Sequence, residues 1–204
     1  VYKRQVMADL GKKKTTYTII DVARLTKNQK RPYLLIEAFS RLAEKYPEWR
    51  VQFWGSEPDG NTVYTRELQK LIESKNLGDK VTLCGNTNDV LSKYINADII
   101  VLPSAYEGFP LALSEGMSAG LPGVGFRKCM GVNEIIEDGR TGYLVGDGAE
   151  ELGEGLKKLM ENQRLRVKMG KAAHQAMKRY EPERIWLAWE TLLNDMVKGK
   201  QWRE

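Results

Sequence analysis

The stretch VLPSAYEGFPLALSEGMSAGLP, residues 101–122, contains the junction on which the fold depends. It opens on the end of an apolar run that is typical of a buried strand. A Gly-Phe-Pro turn follows, and then apolar residues with helical spacing. Two acids, Glu107 and Glu115, flank this turn. A buried strand that leads directly into a helix is the repeating unit of a parallel sheet. The stretch therefore predicts one strand–helix unit with two carboxylates at its junction.

Similar apolar runs alternate with amphipathic segments along most of the chain. The runs are YTIIDVA (17–23), RVQFWG (50–55), KVTLCG (80–85), ADIIVLP (97–103), LPGVGF (121–126) and TGYLVG (141–146). Helices are predicted between them, one ended by Pro47 and one by Gly78. Beyond Gly148 the strands cease, and the pattern predicts helices over 149–161, 163–179 and 182–198. This alternation predicts a doubly wound, six-stranded parallel α/β sheet of the Rossmann-like type, with C-terminal helices.

Composition sets the class of protein. The 204 residues are 42% hydrophobic, which is enough to bury a core. The net charge of +5 is mild and suits either an anionic ligand or an ordinary solvated surface. Two cysteines without pairing or metal spacing indicate reduced thiols in a cytoplasmic protein. Because no apolar run reaches membrane-spanning length, a soluble chain is expected.

Ligands of open parallel sheets bind beyond the carboxyl ends of the strands. Pro110 is expected as the first residue of the helix, so Gly108, Phe109 and Leu111 would offer free N–H groups to an anion. Glu115 would then lie about 7–8 Å along the helix. Carboxylates beside an anion site suit the hydroxyls of a vicinal diol. A nucleotide sugar combines a ribose diol, a diphosphate and sugar hydroxyls in this order.

Cations follow the first predicted strand in DVARLTKNQKRP, residues 21–32. Arg24 and either Lys27 or Lys30, with Lys30 favoured, would balance a diphosphate without a metal. Arg31 would crowd or supplement that phosphate site. The sequence contains no Asp-x-Asp pair and no complete glycine-rich dinucleotide or P-loop motif. No metal site and no cofactor are therefore expected.

Several segments together resemble the C-terminal, donor-binding domain of family 4 retaining glycosyltransferases, which is one half of a GT-B fold. They are RLTKNQKRPYLLIEAF (24–39), GSEP (55–58), LCGNTNDV (83–90), PSAYEGFPLALSEGMSAGLP (103–122) and GVNEIIEDGRTGYLV (131–145). The spaced acids match the Glu-x7-Glu pattern of that family. Ala23, Arg31 and Gly116 depart from its usual residues, but none of them removes a contacting side chain.

The resemblance implies a role for each site residue. Glu107 would contact hydroxyls of the transferred sugar, and Glu115 would contact the nucleotide ribose. The backbone of residues Gly108, Phe109, Pro110 and Leu111 would meet the sugar and diphosphate, and all of these except the proline would donate an N–H group. Arg24 and Lys30 would hold the diphosphate as it leaves. The backbone near Gly85 and Asn86 would border the base, with UDP favoured over GDP.

The resemblance also divides the chain into parts. Residues 1–15 have no periodicity and are expected to be disordered or artefactual. Residues 16–180 would form the donor-binding domain. Residues 181–204 would form a helix and tail that pack on an N-terminal domain missing from this chain. In that helix Trp186 and Trp189 share one face and are predicted to be packed, although a peripheral contact with the inner face of the cytoplasmic membrane is an alternative.

The expected function is the donor-binding half of a retaining, metal-independent, hexosyl-type glycosyltransferase. It would move a sugar from a nucleoside diphosphate sugar to a glycan or lipid-linked acceptor, as in bacterial surface polysaccharide biosynthesis. This half alone is expected to be inactive, and no nucleic-acid partner is expected. A non-catalytic nucleotide-sugar-binding module and a nucleotide-sugar epimerase on the same fold remain as alternatives.

Overall fold

The computed structural model describes residues 7–197 and contains one parallel sheet. Its strands are β1 (Tyr17–Val22), β2 (Trp49–Trp54), β3 (Val81–Gly85), β4 (Ile99–Leu102), β5 (Gly123–Phe126) and β6 (Gly142–Val145). Their order across the sheet is β3-β2-β1-β4-β5-β6, and every neighbouring pair is parallel. The prediction of six parallel strands is confirmed, with strand ends within two residues of the predicted runs.

Helices cover both faces of this sheet. They are α1 (Pro32–Ser40), α2 (Val63–Ser74), α3 (Val90–Ile95), α4 (Leu111–Ser118), α5 (Val132–Ile135), α6 (Ala149–Glu161), α7 (Gln163–Met177) and α8 (Pro182–Val197). Helix α1 packs against α2 and α6, whereas α4 packs against α3, α5 and α7. Central-strand residues such as Ile19, Ile20 and Val101 are completely buried because helices lie on both sides. The doubly wound arrangement is therefore confirmed.

Two helix ends differ from their predictions. Helix α1 ends at Ser40 instead of continuing to Pro47. The reason is a change to a tighter hydrogen-bond spacing, since the N–H of Leu42 donates to Phe39 O, three residues back. Helix α2 ends before Asn76, which has a left-handed backbone (φ 55°), so the predicted stop at Gly78 is not used.

The N-terminal segment is packed in its described part. The N–H of Ala8 donates to Ala119 O at 2.8 Å, and Leu10 is buried. Lys14 forms a 2.8 Å ion pair with the buried Asp98. The expectation of disorder is therefore wrong for residues 7–15, because a few apolar side chains dock between the ends of α4 and α7. Residues 1–6 lie outside the described part of the chain.

Helix α8 differs from all the other long helices in having no buried residue. One of its faces is apolar. It is formed by Ile185, Trp186, Trp189, Leu193 and Met196, all of them exposed. Within residues 7–197 the two tryptophans are not covered, with Trp186 72% exposed, so their predicted packing on a preceding domain stays a prediction. We call this surface the apolar face of α8.

Close approach of helix α7 to the end of α4 depends on one glycine. A Cβ at Gly170 would lie 2.1 Å from Gly120 O, which is backbone and cannot rotate away. Gly170→Ala is expected to lower the free energy of unfolding by about 1–3 kcal/mol, measured by urea denaturation. In contrast, Gly153→Ala in α6 meets no atom closer than 3.6 Å. This matched variant is expected to stabilise the protein by about 0.5–1 kcal/mol. Equal effects at the two positions would contradict the packing.

Candidate functional site

The candidate site lies at the carboxyl ends of β1 and β4, where the strand order reverses. The loops that leave these two neighbouring strands lead to helices on opposite faces, which opens a crevice between them. Lys30 reaches into it from the β1–α1 loop and Glu107 from the β4–α4 loop. Their Nζ and Oε1 atoms are 2.5 Å apart, and their side chains are only 15% and 8% exposed. The fold thus joins two predicted site residues that are 77 positions apart.

Arg31 holds the two loops together. Its Nε donates to Pro103 O and its Nη2 to Ser104 O, both at 3.1 Å, and the guanidinium forms a 3.0 Å ion pair with Asp147. It also lies 4.8 Å from the centre of the Phe126 ring. Two of its three nitrogens, Nε and Nη2, are therefore engaged within the protein, and the expectation that Arg31 crowds or supplements the phosphate site stays a prediction.

The other predicted cations are placed differently from each other. Arg24 is exposed, and its side chain forms no hydrogen bond or ion pair within residues 7–197. Lys27 points away from the crevice to α2, where it pairs with Glu67 at 2.8 Å in solvent. Of the two candidate lysines, only Lys30 lies beside Glu107. Of the predicted cations, the structure thus brings Lys30 to Glu107, and the role of Arg24 stays a prediction.

The turn before α4 is arranged somewhat differently from the prediction. Helix α4 begins at Leu111, and Pro110 precedes it as the N-cap residue instead of being its first residue. The N–H of Leu111 donates to Phe109 O at 3.0 Å, so the expectation of a free donor there is wrong. The N–H groups of Gly108 and Phe109 have no partner among the described residues. Two of the three predicted backbone donors thus remain free at this helix terminus.

Glu115 is exposed on α4, in the fifth position of that helix. The hydroxyl of Tyr94 in α3 donates to its Oε2 at 3.3 Å. Tyr94 is itself buried, and burial followed by the charge of Glu115 raises the pKa of its phenol. The phenol therefore stays a hydrogen-bond donor, which leaves the other oxygen of Glu115 available to a ligand.

Gly85 and Asn86 lie at the end of β3, on the outer edge of the sheet. Gly85 has a left-handed backbone (φ 70°), its carbonyl accepts from Gly55 N–H at 2.8 Å, and Asn86 is exposed. Strand β3 is three strands from β4, which corresponds to roughly 14 Å at the usual strand spacing. The predicted base contacts therefore lie at the far end of the crevice from Glu107.

Two residues near the crevice were not predicted from the sequence. Asp21 in β1 is 2% exposed, and its Oδ1 has no hydrogen-bond partner. Burial raises its pKa to about 8, Lys30 opposes this increase, and Glu107 adds to it. Gly131 (φ 81°) approaches so closely that a Cβ there would lie 2.4 Å from Gly108 O. An acid inside the otherwise apolar run YTIIDVA was the available signal for Asp21.

Two general features of the described chain bear on metals and membranes. Within residues 7–197, no group of three or more His, Cys, Asp or Glu side chains is arranged to hold a metal ion. None of the helices in that range combines the length and the apolar content needed to cross a membrane.

Comparison with known proteins identifies relatives of this chain. The family described as "Glycosyl transferases group 1" matches residues 3–176. An uncharacterized glycosyltransferase of Haemophilus influenzae is 32% identical over 86% of this chain. An exopolysaccharide phosphotransferase of Streptomyces coelicolor is 31% identical over 91% of it, and a poly(glycerol-phosphate) alpha-glucosyltransferase of Bacillus subtilis is 27% identical over 92%. The chain spans 48%, 19% and 27% of these three proteins respectively, so it matches half of each or less.

Solved structures agree with this relation. Staphylococcus aureus TarM, in a complex with fondaparinux, alpha-GlcNAc-glycerol and UDP, is 27% identical with a TM-score of 0.78, over 88% of this chain and 36% of TarM. The C-terminal domain of a group 1 glycosyl transferase from Francisella tularensis has a TM-score of 0.71 and is covered over 92% of its length, which supports the same fold. The expected relation to one half of a GT-B fold is confirmed. The chain belongs to the group 1 glycosyl transferases.

Proposed function

We propose that this chain is the donor-binding half of a retaining, metal-independent glycosyltransferase. It holds a nucleoside diphosphate sugar whose sugar is transferred to a glycan or lipid-linked acceptor. The observation that carries the proposal is the buried Lys30–Glu107 pair at the point where the strand order reverses. An enclosed cation beside a carboxylate and a helix N-terminus suits a ligand that carries both a diphosphate and hydroxyls.

The donor has a definite direction along the crevice. The transferred sugar lies at Glu107, whose free oxygen accepts from its hydroxyls. The diphosphate lies between Arg24 and the N–H groups of Gly108 and Phe109. The ribose diol meets Glu115, and the base lies near Asn86. The roughly 14 Å between the ends of β3 and β4 accommodates an extended nucleotide.

The chemistry assigned to this half is stabilisation of the leaving group. When the bond from the anomeric carbon to the diphosphate breaks, negative charge accumulates on the terminal phosphate. Arg24, which is free, and Lys30, which is pre-positioned, face that charge at once and need no metal to balance it. Retention of configuration and the hexosyl class follow from the family resemblance. UDP is favoured as the nucleotide because TarM was solved with UDP.

The acceptor site belongs to a part of the protein outside this chain. The chain matches half or less of its curated relatives, and the apolar face of α8 is uncovered. We assign this face to contact with a preceding domain, which would complete the crevice and supply the acceptor. On this basis the isolated chain binds nucleotide sugar weakly and turns over little. We also propose a cytoplasmic location. A peripheral membrane contact would involve residues 198–204, which lie outside the described part.

Calorimetry across UDP-, GDP- and ADP-sugars tests the donor site. Glu115→Ala and Arg24→Ala are each expected to weaken binding by roughly tenfold or more, because each removes charge-assisted hydrogen bonds to the ligand. Glu73→Ala and Arg164→Ala remove exposed side chains of the same types elsewhere and are expected to have no effect. Full affinity in both site variants would refute the assignment. With the whole protein, release of an isomerised free nucleotide sugar would indicate an epimerase instead.

A further inference from the structure

Among residues 7–197, Asp21 is a buried acid beside the crevice for which the proposed donor contacts give no role. It lies near the carboxyl end of β1, opposite Phe53 of β2 in the strand register. It is 2% exposed, and Oδ1 has no partner among the described residues. An unpaired buried carboxylate is costly, so a carboxyl group in this position favours its protonated form.

The groups that face Asp21 come from three neighbouring segments. Lys30 from the β1–α1 loop favours its ionised form, whereas Glu107 from the β4–α4 loop opposes it. The charge of Asp21 also raises the pKa of Tyr94 in α3. The hydroxyl of Tyr94 donates to Glu115 on α4. Asp21 is therefore buried within electrostatic reach of the Lys30–Glu107 pair and of Tyr94, which contacts Glu115.

We infer that Asp21 is a positioning residue for donor binding, which it supports by remaining uncharged near the Lys30–Glu107 pair. This inference rests on the proposed function. While Asp21 is neutral, the Lys30 ammonium is held by Glu107 at the crevice and faces the diphosphate. An ionised Asp21 would attract Lys30 inward and add a third negative charge near the two glutamates, next to an anionic ligand.

The consequence is a pH dependence of nucleotide-sugar affinity that is caused by Asp21. The affinity for a nucleotide sugar decreases as Asp21 ionises, because the ligand then binds only to the fraction of protein with a neutral Asp21. Asp21→Asn keeps the size of the side chain but cannot ionise. Its affinity is therefore constant over the same range. A side chain that is only structural would change stability without removing the pH dependence.

The test is calorimetric titration of a UDP-sugar between pH 6.5 and 9. A UDP-sugar is preferable to UDP, whose terminal phosphate itself titrates with a pKa of about 6. Wild-type affinity is expected to fall roughly tenfold between pH 7 and pH 9, with no fall in Asp21→Asn. Asp21→Val, which is apolar and of similar size, is expected to be equally insensitive. Asp138→Asn removes a carboxylate paired with Arg127, and its affinity should fall with pH as that of the wild type does.

Two results would overturn the inference. One is a wild-type affinity that does not change with pH, and the other is a fall of equal size in Asp21→Asn. Failure of every nucleotide sugar to bind at any pH would instead refute the proposed function. In that case NMR titration of the Lys30 Nζ signal tests, in the unliganded protein, whether ionisation of Asp21 affects Lys30. A step between pH 7 and 9 that disappears in Asp21→Asn supports the inference, and a step that persists in the variant overturns it.

Discussion

Lys30→Met is expected to lower the free energy of unfolding by about 3–5 kcal/mol, because it leaves Glu107 as a buried charge without a partner. The methionine fills a similar volume, so the loss reports the charge and not a cavity. Urea denaturation at neutral pH measures it. Nucleotide-sugar binding should be lost in the same variant, since the cation that faces the diphosphate is gone.

A matched control for this variant lies in the same loop. Lys27 also forms a 2.8 Å ion pair, with Glu67, but the two side chains are 63% and 51% exposed. Because solvent screens such a pair, Lys27→Met should cost no more than about 1 kcal/mol. The double variant Lys30→Met/Glu107→Gln should recover part of the loss, since no charge is then left buried. Equal losses in the Lys27 and Lys30 variants would contradict the buried pair.

Asp21→Asn is expected to be more stable than the wild type, by an amount that grows with pH. In the unfolded chain an aspartate ionises near pH 3.9, whereas burial raises the pKa of Asp21 in the folded protein to about 8. The wild type is thus most stable below the unfolded pKa and loses stability as the pH rises through the folded one. Between pH 5 and pH 8 the advantage of the variant should increase by about 3–4 kcal/mol.

Thermal or urea denaturation of both proteins at several pH values measures this difference. Asp138→Asn is the control. Burial opposes ionisation of Asp138, but hydrogen bonds from Arg127 and from the N–H of Leu144 outweigh it and lower the pKa. Stability from Asp138 is therefore lost only below its unfolded pKa, and the difference from wild type should be constant from pH 5 to 8. A difference that is also constant for Asp21→Asn would show that Asp21 ionises normally.

The sheet and the position of the crevice could be predicted from the sequence because parallel strands are buried on both faces. Runs such as YTIIDVA and ADIIVLP are then mostly apolar on both faces, and the loops after them converge on one edge. The proximity of Lys30 and Glu107 follows from that rule. Helix ends were less predictable, since Leu42 and Asn76 end α1 and α2 through local hydrogen bonds and a left-handed residue that no periodicity shows.

Contacts between side chains were the part that the sequence did not reveal. Arg31 carries a guanidinium group of the kind that binds phosphate, yet its Nε and Nη2 donate to carbonyl groups of another loop. Asp21 is visible in the sequence only as an acid inside an apolar run, and the structure adds that its Oδ1 has no partner among residues 7–197. The tryptophans of α8 have the spacing of a packed face, yet within residues 7–197 both are exposed.

The central place of β1 in the sheet also has a kinetic consequence. Because β1 pairs with β4 only after β2 and β3 have been synthesised, Lys30 and Glu107 meet late, across a separation of 77 positions. Contacts of such long sequence separation form slowly and stabilise the chain only near the end of folding. A nascent chain that has not completed β4 therefore contains Lys30 but still lacks its partner Glu107. Donor binding then selects for fully folded molecules and stabilises the domain as a whole.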